Sequence, residues 1–194
     1  MTRAVLAGVA VASLALAACG SVDERGAGAP SSASSFEAHG LQVTLPPQWQ
    51  RARERLTPGL TDPREVLAVA TFPLRYRRTA CTHVAGSAFE DLGPDDAFVT
   101  LLERGLDRGS AWLDFPERPA HFGPHLGGPS EASACVPAAH FNDHWFGFTA
   151  QGRHFHADVA FGPQASAATR AEAWAILDSL RVDPRTRPDW RAAG

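Results

Sequence analysis

Apolar and polar residues alternate with the period of a β-strand in several short stretches of the sequence. Residues 39–45 alternate in this way and stop at a pair of prolines, which cannot donate hydrogen bonds to a strand ladder. The dense apolar run at 66–72 predicts a buried strand. Residues 97–102 favour another strand, although the proline and two acidic residues just before them are also typical of a helix start.

The clearest strand pattern lies between positions 145 and 161. Residues 145–150 and 154–161 flank Gln151-Gly152-Arg153, which predicts a β-hairpin with a short loop. In the second arm, apolar residues alternate with polar ones, so the two faces of this arm differ in character. The polar positions are His154, His156 and Asp158. A further short strand is predicted at 132–138.

Residues 166–180 have the periodicity of a helix, and a shorter helix is predicted at 86–92. The apolar residues of the longer segment recur at i, i+3, i+4 and i+7, which places them on one stripe. They are Ala173, Ile176, Leu177 and Leu180. Thr169 and Glu172 have the spacing of a capping box. The pattern predicts an α+β fold, an α/β sandwich of mainly antiparallel sheet with helices packed on one face.

Length and composition point to one domain of bacterial origin. The chain has 194 residues and a formal net charge of −3, which argues against general nucleic-acid binding. All 18 basic side chains are arginine, and Asn, Ile, Tyr and Met occur once each. The scarce residue types use AT-rich codons, so the composition indicates a GC-rich bacterial genome.

The first residues have the parts of an export signal. Arg3 precedes an apolar stretch at 4–14, which is too short for a transmembrane helix of roughly 20 residues. The following Leu16-Ala17-Ala18-Cys19 resembles the lipobox of bacterial lipoproteins, of the kind found in actinobacteria. That resemblance implies cleavage before Cys19 and a diacylglyceryl group on its thiol, which would anchor the protein to the outer face of the cell membrane. The alternative is an ordinary secretory signal with a chance cysteine.

These features divide the chain into four parts. Residues 1–18 are the predicted signal peptide, and 19–35 are a flexible tether rich in Gly, Ser, Ala and Pro. Residues 36–183 are the predicted domain, and 184–194 are a polar tail.

Two cysteines remain if Cys19 carries lipid. An exported protein meets an oxidising compartment, so Cys81 and Cys135 are expected to form a disulfide. Closing a loop of about 54 residues would stabilise the fold by roughly 4 kcal/mol in the chain-entropy model. The alternative is two separate buried thiols.

The opening segment Val43-Thr44-Leu45-Pro46-Pro47-Gln48-Trp49 and the closing Ser179-Leu180-Arg181-Val182 carry a second resemblance. With the antiparallel middle and the final helix, they resemble small lipoproteins with the PsbP/Mog1-like sandwich, over about residues 36–182. This resemblance implies a binding or assembly module in the cell envelope. It implies no catalytic residues.

Potential metal ligands are concentrated between 140 and 158. They are His140, His144, His154, His156 and Asp158. Alternate positions on a strand can direct two imidazoles at one ion, and two or three imidazoles with a carboxylate are a plausible zinc set. The alternative is a solvated strand face with no cofactor.

A group of arginines marks a second candidate site. Its members are Arg51, Arg53, Arg55, Arg75, Arg77 and Arg78. Residues 89–107 are acidic by contrast, so a basic face could contact anionic lipid. The alternative is that these charges lie on separate solvated faces.

The segment 105–131 has no steady period and contains four prolines and five glycines. Loops of this length are often functional, although Trp112, Phe115 and Phe122 could simply hold a surface loop to the domain. No G-x-S-x-G, P-loop, G-x-G-x-x-G or C-x-x-C motif occurs. The sequence therefore favours a non-catalytic, membrane-anchored module that binds an envelope protein, a lipid or a small ligand. The alternative is a metal-dependent hydrolase or metal-binding protein that uses the cluster at 140–158.

Overall fold

The computed structural model describes residues 32–105, 114–129, 136 and 141–186. Within these ranges the chain forms eight strands and two helices. The strands are β1 (Ser34–Ala38), β2 (Leu41–Leu45), β3 (Gln50–Arg51), β4 (Arg64–Ala70), β5 (Ala97–Arg104), β6 (Asn142–Ala150), β7 (Arg153–Phe161) and β8 (Arg181–Val182). The helices are α1 (Gly86–Asp91) and α2 (Ala167–Asp178). The predicted α+β fold with mainly antiparallel sheet is confirmed.

The strands form two antiparallel sheets. The smaller sheet has the order β1-β2-β8, and the larger has the order β3-β4-β5-β7-β6. Residues 97–102, for which the sequence left a helix open, lie in β5, and every residue of β5 pairs with a residue of β7. β5 is the central strand, and its side chains are buried on both faces of the sheet, which explains its apolar composition.

Two hairpins in these sheets have two-residue turns. His39 and Gly40 connect β1 to β2, and Gln151 and Gly152 connect β6 to β7. All four residues have positive φ angles, between 52° and 69°. Type I′ turns need positive φ at both central residues, and their twist matches that of the strands. The hairpin predicted at 145–161 is confirmed, but Arg153 is the first residue of β7 rather than part of the loop.

The start of the domain differs from the prediction. Ser34 and Ser35 belong to β1, so the predicted tether at 19–35 extends two residues too far. The strand predicted at 39–45 begins at Leu41, because His39 and Gly40 form the turn before it. β1 was not predicted because its sequence is rich in serine. It forms a strand through hydrogen bonds with β2.

The faces of the larger sheet carry two separate hydrophobic clusters. The first cluster contains Val69, Val99 and Val159 of the sheet, Ile176 and Leu177 of α2, and the buried residues of β2. The second contains Ala70, Phe98 and Ala160 of the sheet, with Ala88 and Phe89 of α1. We call the sheet face that carries the first cluster the α2 face and the sheet face that carries the second cluster the α1 face. Because the helices belong to different clusters, the predicted packing of helices on one face is not confirmed.

Helix α2 buries its predicted stripe, but its N-terminus is capped differently from the prediction. The Ser166 hydroxyl accepts a hydrogen bond from the Thr169 backbone N–H at 3.0 Å. The Glu172 carboxylate instead accepts hydrogen bonds from the side chains of Gln48 and Trp49, the latter at 3.1 Å. The predicted Thr169–Glu172 capping box is therefore wrong. Glu172 fixes the segment that follows β2 against the helix.

A buried ion pair links β5 and β7 of the larger sheet, and its arginine also binds segments next to the smaller sheet. The Arg153 guanidinium donates from Nε to Glu103 Oε1 at 2.7 Å and from Nη2 to Glu103 Oε2 at 2.6 Å. The Arg153 side chain is fully buried, and that of Glu103 is 3% exposed. The same guanidinium donates to the backbone carbonyls of His39, Gly40, Asp183 and Thr186. Arg153 of the larger sheet therefore holds the β1–β2 turn and the chain after β8.

Within the 105–131 segment, residues 114–129 are fixed to α2 and β6. Arg118 donates to the carbonyls of Leu177, Asp178 and Leu180, at 3.2, 2.8 and 2.6 Å. The buried Phe122 ring packs against Phe146 and Phe148. Glu117 and Gly128 each form an isolated bridge to β6. Trp112, also predicted to hold this segment, lies outside the described residues.

Candidate functional site

A pocket of about 410 Å³ opens on the α1 face of the larger sheet. This volume lies within the usual range for small-molecule sites, roughly 300–1,000 Å³. Its apolar lining includes Leu60, Pro63, Val84, Ala85, Leu102 and Trp145. Its polar lining comprises His83, Thr100, Arg104, His156 and Asp158. Apolar walls around a few polar groups are the usual composition of a ligand site.

The register of three paired strands places the residues of the pocket floor next to one another. Thr100 of β5 and Trp145 of β6 both lie directly opposite Asp158 of β7, and Leu102 of β5 lies opposite His156. Directly opposed residues of antiparallel strands point to the same face. Three strands therefore supply the floor, although β5 and β7 are about fifty residues apart in the chain.

His156 is the central buried polar group of the floor. It is 3% exposed, and its Nε2 accepts a hydrogen bond from Arg104 Nε at 2.8 Å. Burial lowers the pKa of the His156 imidazole to about 4, and the nearby Arg104 charge acts in the same direction. His156 is therefore neutral at physiological pH, and its single ring proton is on Nδ1.

Two aromatic rings enclose His156. The Phe115 ring meets it edge-on with centroids 4.5 Å apart, and the Trp145 ring is tilted against it at 4.8 Å. Phe115 reaches this position because residue 147 is glycine, where a Cβ atom would lie 2.5 Å from the Phe115 ring. Trp145 keeps 38% of its surface exposed, so part of the indole ring is available to a bound molecule.

One wall of the pocket depends on a buried carboxylate. Glu65 of β4 accepts hydrogen bonds from the backbone N–H groups of Leu56 and Thr57 and from the Thr57 hydroxyl. Burial raises the pKa of the Glu65 carboxyl, and these hydrogen bonds oppose the change. Arg55 donates to the carbonyls of Thr57 and Leu60 in the same loop. These contacts position Leu60 at the pocket.

No protein family model matches this sequence. The comparison with curated proteins finds no significant match either. The resemblance to lipoproteins with the PsbP/Mog1-like sandwich therefore stays a prediction, and the site is interpreted from its own geometry.

Only some of the predicted metal ligands lie at the pocket. His156 and Asp158 both line the pocket. His154 shares their sheet face, but its Nδ1 lies 3.3 Å from the Thr149 hydroxyl and it is not part of the lining. His144 lies opposite Val159 on the α2 face and packs against Trp174, so it was wrongly grouped with the others. His140 lies outside the described residues.

Metal binding at this cluster has no support from the part of the chain that the structure describes. Across residues 32–105, 114–129, 136 and 141–186, no group of three or more His, Cys, Asp or Glu side chains could hold a metal ion. The Nε2 lone pair of His156, which a metal would need, accepts the hydrogen bond from Arg104. Two of the predicted zinc ligands are therefore unsuitable: His144 lies on the other face of the sheet, and the Nε2 atom of His156 already accepts a hydrogen bond.

The predicted arginine group has mixed surroundings. The Arg51 guanidinium lies 4.6 Å from the centre of the Phe36 ring, and Arg77 forms ion pairs with Glu90 and Asp91. Arg55 is used by the loop beside the pocket. The remaining members, Arg53, Arg75 and Arg78, are exposed. Contact of this group with anionic lipid stays a prediction.

Several other predicted features lie outside the described residues. Cys19 and Cys135 are among them, so lipid attachment and the Cys81–Cys135 pairing stay predictions. The strand predicted at 132–138 lies outside too, apart from the buried Val136. No helix among the described residues is long and apolar enough to cross a membrane.

Sequence reasoning missed four important residues of the site. Thr100, Leu102 and Arg104 alternate along β5 with residues of the α2 face, and Trp145 lies opposite Asp158. The available signal was a threonine and an arginine four positions apart, and therefore on one face, in a mainly apolar strand. Polar residues on a buried strand face are expected to have a specific partner or a ligand.

Proposed function

We propose that this protein is a lipid-anchored module on the outer face of the cell membrane that binds a small molecule in the pocket on its α1 face. The observation that carries the proposal is the pocket of about 410 Å³ with apolar walls and the hydrogen bond between Arg104 and the buried His156 in its floor. The lipobox-like Leu16-Ala17-Ala18-Cys19 supports the location.

Binding explains the polar groups of the floor better than hydrolysis does. A metal-dependent hydrolase needs about three protein ligands and an open coordination position. Of the five predicted ligands, the pocket lining contains His156 and Asp158. Arg104 adds a positive charge next to His156, which opposes the approach of a cation. A guanidinium, an imidazole and a carboxylate can instead orient a bound molecule by hydrogen bonds.

Filling the pocket should abolish binding. A fragment library screened by ligand-observed NMR is expected to give compounds that bind the wild-type protein. Val84 is partly buried in the pocket wall, so Val84→Trp places an indole in the cavity and should remove most of these signals. The matched control is His125→Trp at an exposed position, which should keep them.

Two outcomes of the screen would contradict the pocket proposal. One is a library that gives no binders of the wild-type protein. The other is a set of binders that bind Val84→Trp and the wild-type protein equally well, since their site would then lie elsewhere. The melting temperatures of both variants show whether either substitution has unfolded the domain.

The lipid anchor is tested separately at Cys19. We expect the wild-type protein, expressed in a bacterium with lipoprotein processing, to fractionate with membranes and to carry the mass of a diacylglyceryl group. Cys19→Ala should release the protein from membranes because the acceptor thiol is lost. A wild-type protein of unmodified mass would contradict the anchor while leaving the pocket proposal intact.

A further inference from the structure

The pocket floor contains one basic and one acidic side chain. Among its described lining residues, Arg104 is the only guanidinium and Asp158 the only carboxylate. His156 is neutral because burial lowers the pKa of its imidazole to about 4. A ligand with a single net charge is attracted by only one of these two groups and repelled by the other, so its loss of hydration is only partly compensated.

The two charges also occupy different ends of the floor. Arg104 binds His156, which is two residues from Asp158 along β7. Alternate residues on a strand are about 7 Å apart. At the first end, the Arg104 guanidinium supplies hydrogen-bond donors, and at the second, the Asp158 carboxylate supplies acceptors.

The Thr100 hydroxyl of the floor has a partner within the sheet. The Thr100 hydroxyl donates to the Leu67 carbonyl at 3.1 Å. Above the floor, Leu60, Pro63 and Val84 form apolar walls, and the partly exposed ring of Trp145 and the side chain of His83 also line the pocket. The pocket therefore combines a donor end, an acceptor end and an apolar cover.

We infer that the ligand is a small molecule of zero net charge with three parts: an apolar body that packs against Trp145, a hydrogen-bond acceptor at the Arg104 end and a hydrogen-bond donor at the Asp158 end. Zwitterions of the amino-acid type and doubly capped amides belong to this class. The inference rests on the proposed binding function and narrows its ligand chemistry.

Four probes with one aromatic body test the inference. They are 3-(2-naphthyl)alanine, a zwitterion; its N-acetyl amide, which is uncharged; its amide, a cation; and its N-acetyl acid, an anion. We expect the zwitterion and the uncharged form to bind the wild-type protein at least about tenfold more tightly than either ion, which corresponds to about 1.4 kcal/mol. Isothermal titration calorimetry at one pH and ionic strength gives the four dissociation constants.

Two variants should change the preference in opposite directions. Asp158→Asn removes the acidic side chain of the floor and keeps Arg104, so the anion should gain affinity relative to the cation. Arg104→Gln removes the guanidinium and keeps Asp158, so the cation should gain affinity relative to the anion. Circular dichroism and melting curves establish that each variant is folded, and the wild-type ranking remains decisive if one variant does not fold.

The outcomes separate the two proposals. If either ion binds the wild-type protein as tightly as the zwitterion and the uncharged form, the inferred ligand class is wrong while the binding function stands. If none of the four probes binds although the fragment screen gives pocket binders, the ligand class is also wrong. If the screen fails as well, the binding function itself is overturned.

Discussion

Replacing Arg153 by alanine should lower the free energy of unfolding by about 3–5 kcal/mol. That is the usual cost of removing one partner of a buried ion pair, because the other charge stays buried without compensation. In this variant the uncompensated charge would be that of Glu103, whose side chain is 3% exposed and accepts two hydrogen bonds from Arg153. Four backbone carbonyls would also lose a donor. Urea denaturation of both proteins measures the difference.

Arg77→Ala is the matched control for this experiment. Arg77 also contacts carboxylates, those of Glu90 and Asp91, but its side chain is 47% exposed. Exposed ion pairs contribute at most about 1 kcal/mol. A loss in Arg153→Ala no larger than that in Arg77→Ala would show that the Arg153 contacts do not hold the two sheets together.

Acidification should destabilise the protein through His156. The imidazole has a pKa of about 4 in the folded state and the ordinary value of 6.5 in the unfolded chain. Between these two values the unfolded state binds the extra proton, so the free energy of unfolding falls as the pH falls. The full contribution is about 3 kcal/mol, reached near pH 4, and it is absent above pH 6.5.

His156→Gln is the variant that tests this pH dependence. Glutamine can accept the Arg104 hydrogen bond but does not titrate, so the loss of stability between pH 6.5 and 4 should be smaller in the variant. The readout is the difference between the two proteins, because other groups also titrate in this range. His125 is exposed, and His125→Gln should follow the wild-type curve. Parallel curves for wild type and His156→Gln would contradict the assignment.

The local structure of the fold was largely predictable from periodicity. Several elements bury enough apolar residues to give the sequence a recognisable pattern. They are the stripe of α2, the hairpin of β6 and β7, and the apolar runs of β4 and β5. β1 was not predictable in this way. Its sequence, Ser-Ser-Phe-Glu-Ala, has little apolar periodicity. It forms a strand because the type I′ turn that follows it pairs it with β2.

The capping of α2 shows how a correct motif can be misplaced. Thr169 and Glu172 have capping-box spacing, but Ser166 also precedes the helix and its hydroxyl is the one that caps it. Glu172 was free to bind Trp49, a partner more than a hundred residues away. Local spacing does not determine which of two possible caps is used, because the start of the helix depends on tertiary contacts.

The candidate site was predictable only in part. The shared face of His156 and Asp158 follows from their spacing on one strand. Their surroundings do not, since Arg104 and Trp145 reach them through the strand order β5-β7-β6, which periodicity does not specify. His144 was misjudged because β6 begins at Asn142, earlier than expected. Its position within the strand therefore places it on the same face as Phe146 and Phe148.

The central claim is that a small molecule binds on the α1 face between Trp145 and the Arg104–His156 pair. The most direct measurement is a crystal structure of the protein soaked with the N-acetyl amide of 3-(2-naphthyl)alanine. Our account predicts electron density for the naphthyl group against Trp145, with polar atoms of the ligand near Arg104 and Asp158. Density at any other surface, or an empty pocket at a concentration that saturates the protein in solution, would contradict it.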